Sequence, residues 1–263
     1  GQFLDELSAD YERVRTQHAN KKQTPMWTLD KARANKTAID WSSYTATKPK
    51  FFGRRVFKNF DLGELAKYID WGPFFQTWDL AGPYPAILDD EVVGVEARRV
   101  FADAQAMLQK VVAGRWLRAD GVFALYPAAQ VDDDDLAVFD VSGAPLMTWR
   151  GLRVQSERPV VDGVRRPSRC LADFVAPLHN GHPQDHLGLF AVTVHGVPAK
   201  EAEFLAHHDD YSAILLKALA DRLAEAFAER LHQRVRGEFW GYAEGEGLDN
   251  EALIAERYRG IRP

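Results

Sequence analysis

"GVFALYPAAQVDDDDLAVFDVSGAPLMTWRGLRVQ", residues 121 to 155, decides the fold class. Three apolar runs stand in it: Gly121–Tyr126, Leu136–Val141 and Leu146–Gln155. The spacers "PAAQVDDDD" and "SGAP" are turn-type in composition. Short apolar runs separated by turn signals predict consecutive strands in an antiparallel sheet. A fourth candidate strand, Leu187–Val194, follows a longer charged loop. On the N-terminal side, apolar residues recur at helical spacing from Asp89 to Val112, with Gly114 near the stop. On the C-terminal side, residues 199 to 236 carry a sustained helical stripe that includes Leu215, Leu219, Leu223, Phe227 and Leu231. The order of helix, several strands, then long helices predicts an α+β fold, an antiparallel sheet with long flanking helices, over an alternating βαβ arrangement.

The flanks are weaker. Residues 4 to 22 read as a helix too charged to own a core stripe, and 23–50 as a loose segment punctuated by Pro25 and Pro49. Residues 1–50 therefore read as an N-terminal helical arm or linker, and 51–263 as the folded unit. Within the arm, "TLDKARAN" predicts a short helix capped near Thr28 or Asp30. Residues 63–69 predict a helix, and 248–259 another, with Asp249 or Asn250 as N-cap and Gly260 as left-handed terminator.

Composition narrows the function. The 263 residues are 46% hydrophobic and 27% charged, ordinary values for a globular protein. A net charge of -5 argues against nucleic acid as the main partner. The single cysteine precludes an intrachain disulfide, which points to a reducing, cytoplasmic setting. No apolar run has the length of a membrane span. The first residue is glycine, so the natural polypeptide is expected to begin elsewhere. The glycine fingerprint of dinucleotide folds, the P-loop, the nucleophile elbow and paired zinc cysteines are all missing.

Five features carry chemistry. "LHNGHPQDH" offers His179, His182, His186 and Asp185, either a metal site of hydrolase type or a surface loop whose Gly and Pro mark turns. The loop reading is preferred because no flanking element fixes ligand geometry. "AHHDDY", 206 to 211, reads as an exposed helix flank with Tyr211 directed to the core. Lys217, Asp221 and Glu225 stand four apart, either as a charge ladder or as an acidic ledge facing a cation. Arg222 falls near the apolar side, where it snorkels or finds a buried acceptor. Asp70, between Ile69 and Trp71, is either a turn residue before Pro73 or a carboxylate held in an aromatic wall.

Several long stretches occur together and in order: "YIDWGPFFQTWDLAGPYPAILDDEVVGVEARRVFADAQAML", "CLADFVAP", "AHHDDYSAILLKALADRLAEAFAERLHQRVR", "WGYA" and "YRGIRP". They resemble the C-terminal activation domain of cobalamin-dependent methionine synthase, a 5-methyltetrahydrofolate–homocysteine methyltransferase. The resemblance implies a domain that binds S-adenosylmethionine without a dinucleotide fingerprint and supports reductive methylation of cob(II)alamin to methylcobalamin. Cobalamin and zinc belong to other modules of the whole enzyme, so this piece alone is not expected to make methionine. The implied partners are the cobalamin-binding module and a flavodoxin-type reductant, with no nucleic acid and no membrane.

By resemblance, Asp70 grips the methionine end of the ligand, Glu225 lies near its sulfonium and Arg262 binds it. Asp221 faces the cobalamin module. Carboxylates suit the ligand's two cations and a guanidinium suits its carboxylate. No catalytic nucleophile is expected, because the cobalt itself attacks the methyl group. The family pattern continues past the proline that follows Arg262, so the site is expected to be C-terminally incomplete. The alternative function is a docking module for flavodoxin and the cobalamin module with its ligand site unfinished.

Overall fold

The computed structural model describes residues 2–19 and 25–259. Its elements, in chain order, are α1 (Gln2–Ala19), α2 (Leu29–Ala34), β1 (Gly53–Phe60), α3 (Leu62–Leu65), α4 (Gly72–Gln76), α5 (Gly94–Gly114), β2 (Arg118–Gln130), β3 (Asp135–Phe139), β4 (Pro145–Arg150), the small hairpin β5 (Val160–Val161) and β6 (Val164–Arg165), β7 (Asp185–His195), α6 (Val197–Ala206), α7 (Asp210–Arg234) and α8 (Asn250–Ile254). This is the α+β architecture that the sequence predicts. Among the described residues, no helix is long and apolar enough to cross a membrane.

Strand β2 is the spine of an antiparallel sheet. Along one flank it pairs with all of β7, from Arg118↔His195 to Ala128↔Asp185. Along the other flank it pairs first with β1 and then, from Ala128↔Val138, with β3, which continues to β4. The turn-type composition of "PAAQVDDDD" predicts that this strand ends at Tyr126. Ala128 and Ala129 are instead fully buried, and the burial they gain extends the strand to Gln130. Pro127 falls between the β1 and β3 pairings, where β2 is locally an edge and proline is tolerated. Strand β1 was not predicted.

The main core lies between this sheet and helices α5 and α7. Helix α7 seats Phe227, which is wholly buried, directly on Gly121 of β2. A Cβ at that position would stand 2.7 Å from Cζ of Phe227, so only glycine admits the ring. Phe123, Phe57 and Phe239 extend the contact as an aromatic cluster, with Phe123 and Phe239 stacked at 4.7 Å. Tyr211 is half-buried and its hydroxyl donates to Asp103 Oδ2 at 2.7 Å, which ties α7 to α5. Burial and that neighbouring carboxylate push the Tyr211 phenol up to about 12.

Helix boundaries differ from expectation for local reasons. The helix expected from Asp89 starts at Gly94, because Asp90 Oδ1 turns the chain by accepting from the backbone N–H groups of Val92 and Val93. It ends at Gly114, where the sequence places its stop, with Arg115 as a left-handed C-cap (φ 49°). The single helix expected over 199–236 is two. His208 takes φ 57°, and Asp209 caps α7 by accepting from Ser212 N at 3.0 Å. "AHHDDY" is thus a helix break and not a helix flank. The last turn of α7 widens to a π-helix over Val235–Phe239. Caps at Thr28 and Asp249 hold as expected. α8 stops early, with Glu256 in the left-handed region at φ 56°; Gly260 lies outside the described residues.

A second, smaller core gathers Ala128, Leu136, Cys170, Ala172 and Val175. It is held by an ion network. The side chain of Arg153 is fully buried, with Nε 2.6 Å from Asp134 Oδ1 and Nη2 2.7 Å from Asp173 Oδ1. It also donates to the carbonyls of Ser168 and Asp133. Burial opposes ionisation of Asp173, but hydrogen bonds from Arg153 and the Cys170 amide hold its carboxyl below the usual range. The strand expected to run to Gln155 ends at Arg150, because Gly151 passes against the Asp134 carbonyl and Arg153 turns inward. The aspartate tract is therefore partly interior.

Of the segment expected to be loose, residues 25–37 pack on this lobe. Trp27 is buried and its N–H donates to the Gln155 carbonyl, Arg33 pairs with Asp134 at 2.7 Å, and Lys36 pairs with Asp133.

Gly121→Ala should destabilise the protein by about 1–3 kcal/mol in urea unfolding, since the overpacked ring of Phe227 has nowhere to go. Arg153→Leu should cost about 3–5 kcal/mol, because it leaves the buried Asp173 carboxylate without its cation and Asp134 with Arg33 alone. Unchanged midpoints would show that these contacts are not what holds the two cores.

Candidate ligand cavity between the Asp70 turn and the long helix

The stretch around Asp70 is built to be stiff. Ile69, Trp71, Phe74 and Phe75 are buried, and Trp71 packs edge-on against Phe74 and Phe101 at 5.3 and 4.9 Å. Asp70 Oδ1 accepts from the Gly72 backbone N–H at 2.9 Å. The turn reading of this residue therefore holds. One oxygen closes a turn within an aromatic wall, and the same half-buried carboxylate lines a cavity.

That cavity, of about 190 Å³, is bounded by Tyr68, Asp70 and Pro73 on one side and by Arg222, Glu225, Ala226 and Glu229 of α7 on the other, with Ile254 of α8 at its edge. Side chains hold the two walls in register. The Tyr68 hydroxyl donates to Gln233 Oε1 at 2.9 Å, and Arg230 bonds the same oxygen at 2.8 Å. Arg230 also pairs with Glu64 at 2.6 Å. Asn250 Nδ2 donates to the Ile69 carbonyl at 3.4 Å, which brings α8 alongside.

Of the residues singled out in the sequence, Asp70 and Glu225 meet here. Asp221 does not line the cavity; its side chain is 70% exposed and pairs with Arg222 at 2.6 Å. Arg262 lies outside the described residues. The Lys217, Asp221, Glu225 ladder does not form. Lys217 reaches across to Glu201 on α6 at 2.9 Å, and Asp221 pairs with its neighbour. Arg222 and Glu229 were not expected in the site. A signal existed for Glu229, which continues the four-residue spacing of Asp221 and Glu225 by one more turn. Arg222 was placed near the apolar side, and its side chain is only 12% exposed.

The histidine-rich loop disperses. His179 and His182 pair through their backbones, and His186 stacks on Phe52 at 5.5 Å. Asp185 is consumed by the backbone N–H groups of Ala176 and His186. Among the described residues, no cluster of His, Cys, Asp and Glu is arranged to hold a metal ion.

Past the cavity, the end of α7 anchors the C-terminal segment. Arg236 is wholly buried; its Nε donates to Glu246 Oε2 at 2.9 Å and its guanidinium lies 4.2 Å over the Tyr258 ring. Glu246 Oε1 accepts from the Arg259 backbone N–H at 3.1 Å. Arg236 Nη1 lies 2.7 Å from His232 Nδ1. An arginine can only donate, so that nitrogen accepts and the imidazole is neutral. Burial first, and then the Arg236 charge, push His232 down to about 4.

A family model described as "Vitamin B12 dependent methionine synthase, activation domain" matches residues 61–263. A crystal structure of the MetH reactivation domain bound to AdoHcy superposes with a TM-score of 0.83 at 48% identity. The alignment covers 91% of this chain and 72% of that one. An α+β fold with a carboxylate-lined cleft and no dinucleotide fingerprint thus finds its class. The chain belongs to the family of activation domains of vitamin B12-dependent methionine synthase.

His232 supplies a pH test. Its folded value of about 4 lies below the ordinary 6.5, so the unfolded chain takes a proton first. The stability it contributes is complete above pH 6.5 and lost as pH falls towards 4, up to about 3 kcal/mol. His232→Gln should flatten the denaturant-unfolding free energy over that window. A wild-type slope retained in the variant would assign the effect to other groups.

Proposed function

We propose that this chain binds S-adenosylmethionine with its methionine end in the Asp70–Glu225 cavity, and so supports reductive methylation of cobalamin in the cytoplasm. Two carboxylates that the sequence separates widely line one cavity, and this observation carries the reading. A cavity of about 190 Å³ is smaller than the range for a whole drug-sized ligand, so it takes one end of it. In this reading Asp70 holds the α-ammonium, Glu225 faces the sulfonium and Arg262 takes the carboxylate. Low dielectric around the aromatic wall strengthens the pull of Asp70 on a cation.

The cobalamin of a separate module supplies the nucleophile that takes the methyl group. The residues of this chain bind the donor, orient its methyl group and present it, which is catalysis by positioning. Asp221, exposed on the same helix, is the proposed contact to the cobalamin module. Exposed Arg54 and Arg55 on β1 favour docking of an acidic, flavodoxin-type reductant despite the net charge of -5. The whole enzyme's homocysteine and folate chemistry lies in other modules.

Asp70→Asn should weaken S-adenosylmethionine binding about 10- to 100-fold in calorimetric titration, the range for a charge-assisted hydrogen bond, with the thermal unfolding midpoint unchanged. Unaltered affinity would remove Asp70 from the site. Absence of any saturable binding by the unsubstituted chain would remove the reading itself.

A further inference from the structure

We infer that Arg222 is a specificity-determining residue of the ligand cavity, held off the cavity's carboxylates by its ion pair with Asp221. The inference deepens the proposed function and rests on it. Arg222 belongs to two environments at once. Its side chain lines the cavity with Asp70, Glu225 and Glu229, yet its Nη2 is engaged 2.6 Å from Asp221 Oδ2, outside that cavity. The two partners differ sharply in exposure: 12% of the Arg222 side chain and 70% of that of Asp221 are open to solvent. A mostly covered cation is thus tethered by a mostly solvated anion.

Among the described residues, the cavity lining has three carboxylates and this one guanidinium. Glu225 stands three residues from Arg222 on the same helix, within reach of its side chain. With Arg222 turned to Asp221, the carboxylates act on a cationic ligand. If Asp221 is neutralised or engaged elsewhere, Arg222 is drawn to Glu225 and cancels part of the attraction. The balance bears on charge, so it discriminates a sulfonium from a neutral thioether. An exposed face of α7 thereby sets the affinity of a cavity that it does not line.

A double-substitution cycle tests this, with S-adenosylmethionine and S-adenosylhomocysteine titrated calorimetrically into the full chain. Asp221→Asn should weaken S-adenosylmethionine binding about two- to fivefold, the range an exposed ion pair supports. It should weaken S-adenosylhomocysteine binding less. Arg222→Gln should bind the sulfonium ligand as tightly as the unsubstituted chain or tighter. Adding Asp221→Asn to Arg222→Gln should then change nothing further. If Asp221→Asn costs the same with and without Arg222, Asp221 acts by its own field and the inference falls while the proposed function stands. If the unsubstituted chain binds neither ligand, both fall together.

Discussion

The seat of Phe227 on Gly121 is the contact from which the rest follows. A helix lying on a sheet can rotate about its own axis, and a ring lodged where no Cβ fits stops that rotation. With α7 so fixed, its apolar stripe meets the sheet and α5, Glu225 and Glu229 face the Asp70 turn, and Asp221 faces solvent. The same orientation carries His232 and Arg236 to the C-terminal segment. A change of one methyl group on β2 therefore bears on a cavity built by other elements.

Charge is used in two different ways. Around Arg153 and Arg236 the buried guanidiniums meet carboxylates and backbone carbonyls, so their fields are spent inside the protein. Such networks fix geometry more than they add stability, and they become costly only when one member is lost. The Asp70 cavity is the opposite case, since among the described residues its carboxylates outnumber the single cation that lines it. Rigid surroundings serve that imbalance. Trp71 and Phe101 immobilise the turn that bears Asp70, and Gln233 with Arg230 pins it to α7.

Much of the fold was legible because local signals agreed with tertiary packing. The periodicity of α5 and the body of α7, and the caps at Thr28 and Asp249, are short-range facts. The break at 207–209 escaped because the apolar spacing runs through it without a change of phase, and only Asp209 and Ser212 announce it. Strand β1 escaped because Arg54, Arg55 and Lys58 obscure its alternation. Residues 25–37 looked loose because their partners, Asp133, Asp134 and Gln155, lie about a hundred residues away.

The sequence by itself determined the fold class, the helix caps and the family, since each rests on residues near one another or on long ordered blocks. It named Asp70 and Glu225 as residues of one ligand site through resemblance alone, and nothing in their spacing brings them into one cavity. That was decided in three dimensions, by the rotation of α7 on β2 and by the closure of the Asp70 turn. The partners of Lys217, Asp221 and Arg222 were likewise decided there. Helical spacing gives each charge several neighbours within reach, and only the packed structure selects among them.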